Sequence, residues 1–152
     1  MRRAVALTAA ALGLTACSAE FWDMNPPTHI PLAVRAQTLR IDRVEVRSSF
    51  YDPPDEFSAA FEPAFREGAA CFSGTVRATA VVFIHELTRY SDLLQPDGRL
   101  RMGGPVDIRD ARGRVIGRYP IAVDISAVEG DLTDRRRAAA RAFGQALCEA
   151  VP

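Results

Sequence analysis

Apolar and polar positions alternate most regularly in the second half of the chain. Leu100, Met102, Gly104, Val106 and Ile108 interleave with Arg99, Arg101, Asp107 and Arg109, and Val115, Gly117, Tyr119, Ile121, Val123 and Ile125 with Arg114, Arg118 and Asp124. A period of two is the signature of a strand with one buried face. An earlier run, Val76, Ala78, Ala80, Val82 and Ile84, alternates in the same way with Thr75, Arg77 and Thr79. "QPDG" (95–98) is a turn, and "DARG" (110–113) reads as a four-residue hairpin loop. Matching the apolar faces of that hairpin predicts Ile108 opposite Val115, Gly104 opposite Tyr119, Leu100 opposite Val123 and Arg99 opposite Asp124. Pro120 marks the last strand as an edge.

Residues 32–48 are also strand-like, but their phase changes between Leu39/Ile41 and Val44/Val46, which predicts a bulge near Asp42 and Arg43. Phe57, Phe61 and Phe65 recur every four residues, the stripe of a helix that Asp55 caps and Gly68 ends, with Pro63 predicting a kink or two short pieces. A second helix starts near Asp131-Leu132, with Asp131 or Thr133 as cap, and runs to about Ala150 on a stripe that includes Ala139, Phe143 and Leu147. The order β-α-β-β-β-α predicts an α+β domain: a mostly antiparallel four-stranded sheet with both helices on one face.

The N-terminus follows a different logic. Arg2 and Arg3 precede the uncharged run "AVALTAAALGL" (4–14), which has the ~7–15-residue length of a signal h-region and falls short of the ~20 residues of a membrane span. It ends in "LTAC" (14–17), with Leu at −3, small residues at −2 and −1, and Cys at +1. This segment resembles a bacterial lipobox. The resemblance implies cleavage before Cys17, lipid attachment to its thiol and export across the inner membrane. Ser18 in place of Asp points to the outer rather than the inner membrane. Residues 1–16 are then a signal peptide, and 17–31 a lipidated cysteine and Pro-rich tether, its residues 18–31 reaching at most roughly 46–50 Å. Residues 32–152 form a single domain. "TAVVFIHELTRYS" and "GGPVDIRDARGRVIG" are similar to segments of small periplasmic lipoproteins, a resemblance that transfers no site residues.

Charge narrows the partners. The chain is formally neutral, with nineteen basic residues, all arginine, against nineteen acidic ones. Without Arg2 and Arg3, seventeen arginines remain, a formal −2. No global field draws nucleic acid, and the membrane is met through the lipid anchor. With Cys17 acylated, Cys71 and Cys148 remain in an oxidising compartment. In the predicted topology the two helices run parallel and their C-terminal ends meet, so these cysteines form a disulfide.

The sequence offers no catalytic constellation. His85 and Glu86 are adjacent on a strand and point to opposite faces; His29 lies in the tether. No P-loop, G-x-S-x-G or CxxC occurs, and neither a metal nor a cofactor is expected. "DRRR" (134–137) with Arg141 is the densest charge cluster and reads as a solvated helix face. A more distinctive surface is the sheet face turned away from the helices, which collects Arg77, Phe83, Arg99, Arg101, Arg109, Ile116 and Arg118. Arginine mixed with large apolar groups is an interface composition. The sequence thus predicts a non-enzymatic anchored lipoprotein that binds an envelope protein partner. The alternative is a small-ligand or lipid-binding lipoprotein with a cleft between sheet and helices.

Overall fold

A computed structural model describes residues 28–48, 55–87, 99–126 and 131–151. Cys17, the signal segment, most of the tether and the "QPDG" turn lie outside the described residues, as do the side chains of Asp55, Phe57, Glu86 and Leu132. A 3-10 turn, Ala36–Thr38, leads into β1 (Leu39–Ser48) and α1 (Asp55–Gly68). Then come β2 (Val76–Ile84), the short β3 (Glu86–Leu87), β4 (Leu100–Arg109), β5 (Val115–Ile125) and α2 (Leu132–Ala150). The fold is α+β, with two helices on one side of a mixed sheet.

β1 and β2 are parallel, joined through α1; β2, β4 and β5 are antiparallel. β3 continues β2 along the same edge of β4 after an interruption at His85, whose N–H donates to the Gly103 carbonyl at 2.9 Å. The sheet is therefore four strands wide, as expected. The bulge foreseen in β1 falls between Ile41 and Arg43. It brings both Leu39/Ile41 and Val44 to the buried face and directs the Asp42 carbonyl to the Arg66 guanidinium of α1.

The β4–β5 register differs from the predicted one by two residues. Leu100 faces Ile125, Gly104 faces Ile121, Val106 faces Tyr119 and Ile108 faces Gly117. Two local features cause the shift. Asp110 and Arg114 close a three-residue loop rather than a four-residue one: Asp110 Oδ1 accepts the N–H groups of Arg112 and Arg114 at 2.9 and 3.0 Å, and Gly113 takes the positive φ of 80° that such a loop requires. Ile116 is then an extra residue, because Val115 faces Arg109 while Gly117 faces Ile108. The parity of the apolar face survives both steps, which is why alternation alone did not reveal them.

Residues 32–38 are not strand. They form a strap that starts at the free edge of β5 and ends at β1, on the far side of the sheet. Ile30, expected in the tether, exchanges both backbone hydrogen bonds with Arg118, and the Ala33 N–H donates to the Ile116 carbonyl. The Leu32 N–H donates to the buried Tyr119 hydroxyl at 2.9 Å, and the His29 ring stands edge-on to Tyr119. Pro120 and this strap together blunt the β5 edge.

α1 is one unbroken element despite Pro63. Pro63 is exposed, whereas Phe61, Ala64 and Phe65 around it are buried, so core packing holds the turn whose hydrogen bond proline removes. α2 starts where expected, with Asp131 as cap in a reciprocal box with Asp134. The two helices run parallel and approach closely at glycines: a Cβ on Gly144 would lie 2.3 Å from the Phe65 carbonyl oxygen. Phe61, Phe65, Phe143 and Leu147 fill the layer between helices and sheet, against Ala80, Val82, Val106, Ile108 and Tyr119. Burying each such aromatic or leucine stabilises the fold by about 1.5–3 kcal/mol.

Candidate interaction surface

The strand period that fills the core turns the opposite set of residues outward, and no described helix lies over them. Register aligns Glu45, Val81, Asp107 and Arg118 in one row across β1, β2, β4 and β5. Arg43, Thr79 and Arg109 form the adjacent row. Val81 and Asp107, at the centre, are buried.

Every carboxylate of this face among the described residues is bracketed by two arginines. Asp107, with none of its side chain exposed, accepts from Arg118 Nη2 at 2.8 Å and from Arg109 Nη2 at 3.3 Å. Glu45 lies 3.5 Å from Arg43 and 3.1 Å from Arg47. Asp124 accepts from Arg99 at 3.0 Å and from Arg101 at 3.2 Å. Asp42 lies 3.8 Å from Arg40 and 3.9 Å from Arg77. The shifted register explains the Asp124 group: Arg101 stands directly opposite Asp124, and Arg99 reaches it from the next position outward. Asp110, at the hairpin end, takes a single arginine, Arg114.

Chemically the four groups are alike, but their environments grade from solvent to interior. Arg43 and Arg77 side chains are 72% exposed, so their ion pairs contribute little to stability. Arg118 is 15% exposed; its hydrogen bonds to Asp107 hold its proton more tightly than an ordinary guanidinium, against the opposing effect of burial. Asp110 titrates below the usual carboxylate range, chiefly because the Arg114 side chain donates to it, with burial opposing and the backbone N–H groups of Arg114 and Arg112 assisting.

The structure gathers Arg77, Phe83, Arg99, Arg101, Arg109 and Arg118 on one face; Ile116, expected with them, is instead the extra residue of the β5 bulge and is drawn toward the core. It adds what the sequence reading missed: the β1 contribution, with Asp42 and Glu45, and the two arginines that bracket Asp107. A signal was present, since Arg43, Glu45 and Arg47 alternate at strand period, as do Arg40 with Asp42 and Asp107 with Arg109. Phe83 is half-buried, with the Arg47 guanidinium 5.9 Å from its ring centre. Ile116 packs partly against the core.

Elsewhere, Cys71 and Cys148 form a disulfide at the C-terminal ends of the two helices, with Cα atoms 5.7 Å apart. The "DRRR" segment divides its roles. Asp134 completes the cap and lies 3.8 Å from Arg137, and Arg141 pairs with Glu67 of α1 at 2.8 Å. Arg136 and Arg137 line a shallow groove of about 380 Å³ between the helices, with Ala59, Ala60 and Thr133. His85 is exposed, and among the described residues no His, Cys, Asp and Glu side chains cluster as a metal site. No described helix is long and apolar enough to cross a membrane.

No protein-family model matches the chain, and no curated protein does. Among solved structures it is similar to a PelC variant dodecamer from Paraburkholderia phytofirmans, with a TM-score of 0.47 and 13% identity over 78% of this chain and 93% of that one. A PelC dodecamer from the same organism in space group P6 gives 0.46 and 12%, over 76% and 88%. The crystal structure of an uncharacterized protein gives 0.40 and 12%, over 78% and 92%.

Proposed function

We propose that this chain is a lipoprotein anchored through Cys17 to the periplasmic surface of the outer membrane. There it acts as a non-enzymatic accessory module that binds a protein partner of the cell envelope. The observation that carries the binding role is the asymmetry of the sheet. One face is sealed by the helices over a filled apolar layer; the other presents an ordered array of arginine–carboxylate groups with Phe83 among them. A ligand-binding role would need a cleft between sheet and helices, and Phe61, Phe65, Phe143 and Leu147 occupy that layer. The Cys71–Cys148 disulfide suits an exported protein, because such bonds persist in oxidising compartments.

Two measurements test the reading. Wild-type protein takes up a fatty-acid label in cells and Cys17→Ser does not; persistent labelling of the variant refutes anchoring at that residue. In-cell crosslinking followed by mass spectrometry identifies a partner that is lost when Phe83 and Arg101 are replaced together. Unchanged crosslinks with an intact fold refute binding through this face.

A further inference from the structure

We infer that the open sheet face recognises a protein partner by its carboxylates: an acidic protein surface with an apolar spot at its centre. The inference rests on the binding-module reading and names the chemistry of the partner.

Each of the four groups on the face holds one carboxylate between two guanidiniums and carries one net positive charge. The chain as a whole is neutral, so the positive charge of this face is a local excess. A guanidinium has five N–H donors in a fixed plane, and one carboxylate engages at most two of them. A second carboxylate, from outside, therefore finds a site that is charged, planar and already oriented. Asp107 and Asp124, which accept hydrogen bonds from both of their arginines, restrain them before the partner arrives, so less side-chain freedom is lost on binding there. Lysine would not serve in the same way, because its ammonium is a point charge without a fork.

Phe83, half-buried on β2 beside the Arg47 guanidinium and next to the buried Val81, sets an apolar spot among these charges, the arrangement of protein interfaces rich in arginine and aromatic residues. A lipid surface fits less well. Membrane docking uses protruding apolar side chains beside the cations. Among the described residues the exposed large apolar side chains are Val34, on the strap, and Val76, which has the parity of the buried strand positions. Neither belongs to this face.

The full-length protein in neutral detergent is titrated with a labelled 20-residue peptide of glutamate, aspartate, phenylalanine and leucine. The comparison probes are the same peptide with glutamine and asparagine in place of the acids, and vesicles of phosphatidylglycerol. The triple variant Arg43→Gln, Arg77→Gln, Arg99→Gln leaves Asp42, Glu45 and Asp124 one arginine each and the Asp107 group intact. The control Arg112→Gln, Arg137→Gln, Arg141→Gln removes the same charge elsewhere. The inference expects wild type to bind the acidic peptide and not its neutral form. The face triple should weaken binding about tenfold and flatten its salt dependence, and the control should change it less than about twofold. Equal losses in the two triples, no binding of the acidic peptide, or stronger binding to the vesicles would overturn it. Circular dichroism confirms that both triples are folded. Loss of fatty-acid labelling alone removes the anchor and leaves this inference standing; loss of peptide binding alone does the reverse.

Discussion

Asp107→Ala is the perturbation that most directly probes how the open face is built. The carboxylate is fully buried, and removing it strips two hydrogen bonds from Arg118 and one from Arg109. Arg118 then keeps a charge in a position where its side chain is 15% exposed. Breaking a buried ion pair by deleting one partner costs about 3–5 kcal/mol. Arg109, 29% exposed, can turn its charge to water, so the lower end applies: about 3 kcal/mol. Replacing both partners behaves differently. Val81 lies beside Asp107 on β2, and Asp107→Val with Arg118→Val extends an apolar β-branched row with no stranded charge. That double variant should lose less than about 1.5 kcal/mol, because replacing a buried pair by apolar residues is often near neutral. Urea unfolding followed by circular dichroism, with Arg118→Val completing the cycle, measures the coupling. An Asp107→Ala loss below about 1 kcal/mol, or a double variant equal to the sum of its parts, would show that the two residues act independently and refute the reasoning.

Three further outcomes follow from other parts of the fold. Cys71→Ala with Cys148→Ala opens a link between residues 77 apart and should lower unfolding free energy by about 2–4.5 kcal/mol; an unchanged urea midpoint, or two alkylatable thiols in unreduced protein, refutes it. Gly144→Ala places a Cβ against the Phe65 carbonyl, forces the helices apart and should cost about 1–3 kcal/mol or more; a wild-type melting temperature contradicts the close approach. Asp110 has a folded pKa below its reference value of 3.8, so its contribution is present above 3.8 and is lost as pH falls through the lower folded value. A carboxyl NMR titration should give a midpoint below 3.8 that Arg114→Gln raises; a midpoint at or above 3.8 in wild type excludes the hairpin clamp.

Alternation made much of this architecture legible. The core parity of β2, β4 and β5, the β1 bulge, the capped α2, and the parallel helices that bring Cys71 to Cys148 all follow from one period or the other. What escaped depends on features that parity does not record. The three-residue loop and the extra residue at Ile116 each shift the pairing by one, and together they restore the apolar face from Gly117 onward. The strap over residues 30–38 is held by backbone bonds to β5 and by Tyr119, a partner distant in sequence, so its residues look like an ordinary strand start. Alternation paired Asp124 with Arg99, but it gave Asp42, Glu45 and Asp107 no partners. Only the register shows that Asp107 lies between Arg109 and Arg118, and Asp124 between Arg99 and Arg101.

The two-to-one arrangement also bears on how such a face stays both soluble and specific. Neighbouring strands lie about 4.8 Å apart, and like charges at that spacing destabilise a sheet. Placing a carboxylate within every arginine pair lets the guanidiniums crowd one surface while each group retains a single net charge. A surface built only of arginine at this density would attract anions indiscriminately. Here an incoming neutral or cationic group meets no vacant acceptor charge, because each carboxylate is already bracketed. The edges offer no competing route. β5 is covered by Ile30 and interrupted by Pro120, and β1 carries a bulge and charged side chains, devices that discourage strand-to-strand pairing. In the proposed binding role, association is thereby steered from the edges, where any exposed strand would serve, to the face, where a partner would match four charged groups and the Phe83 ring.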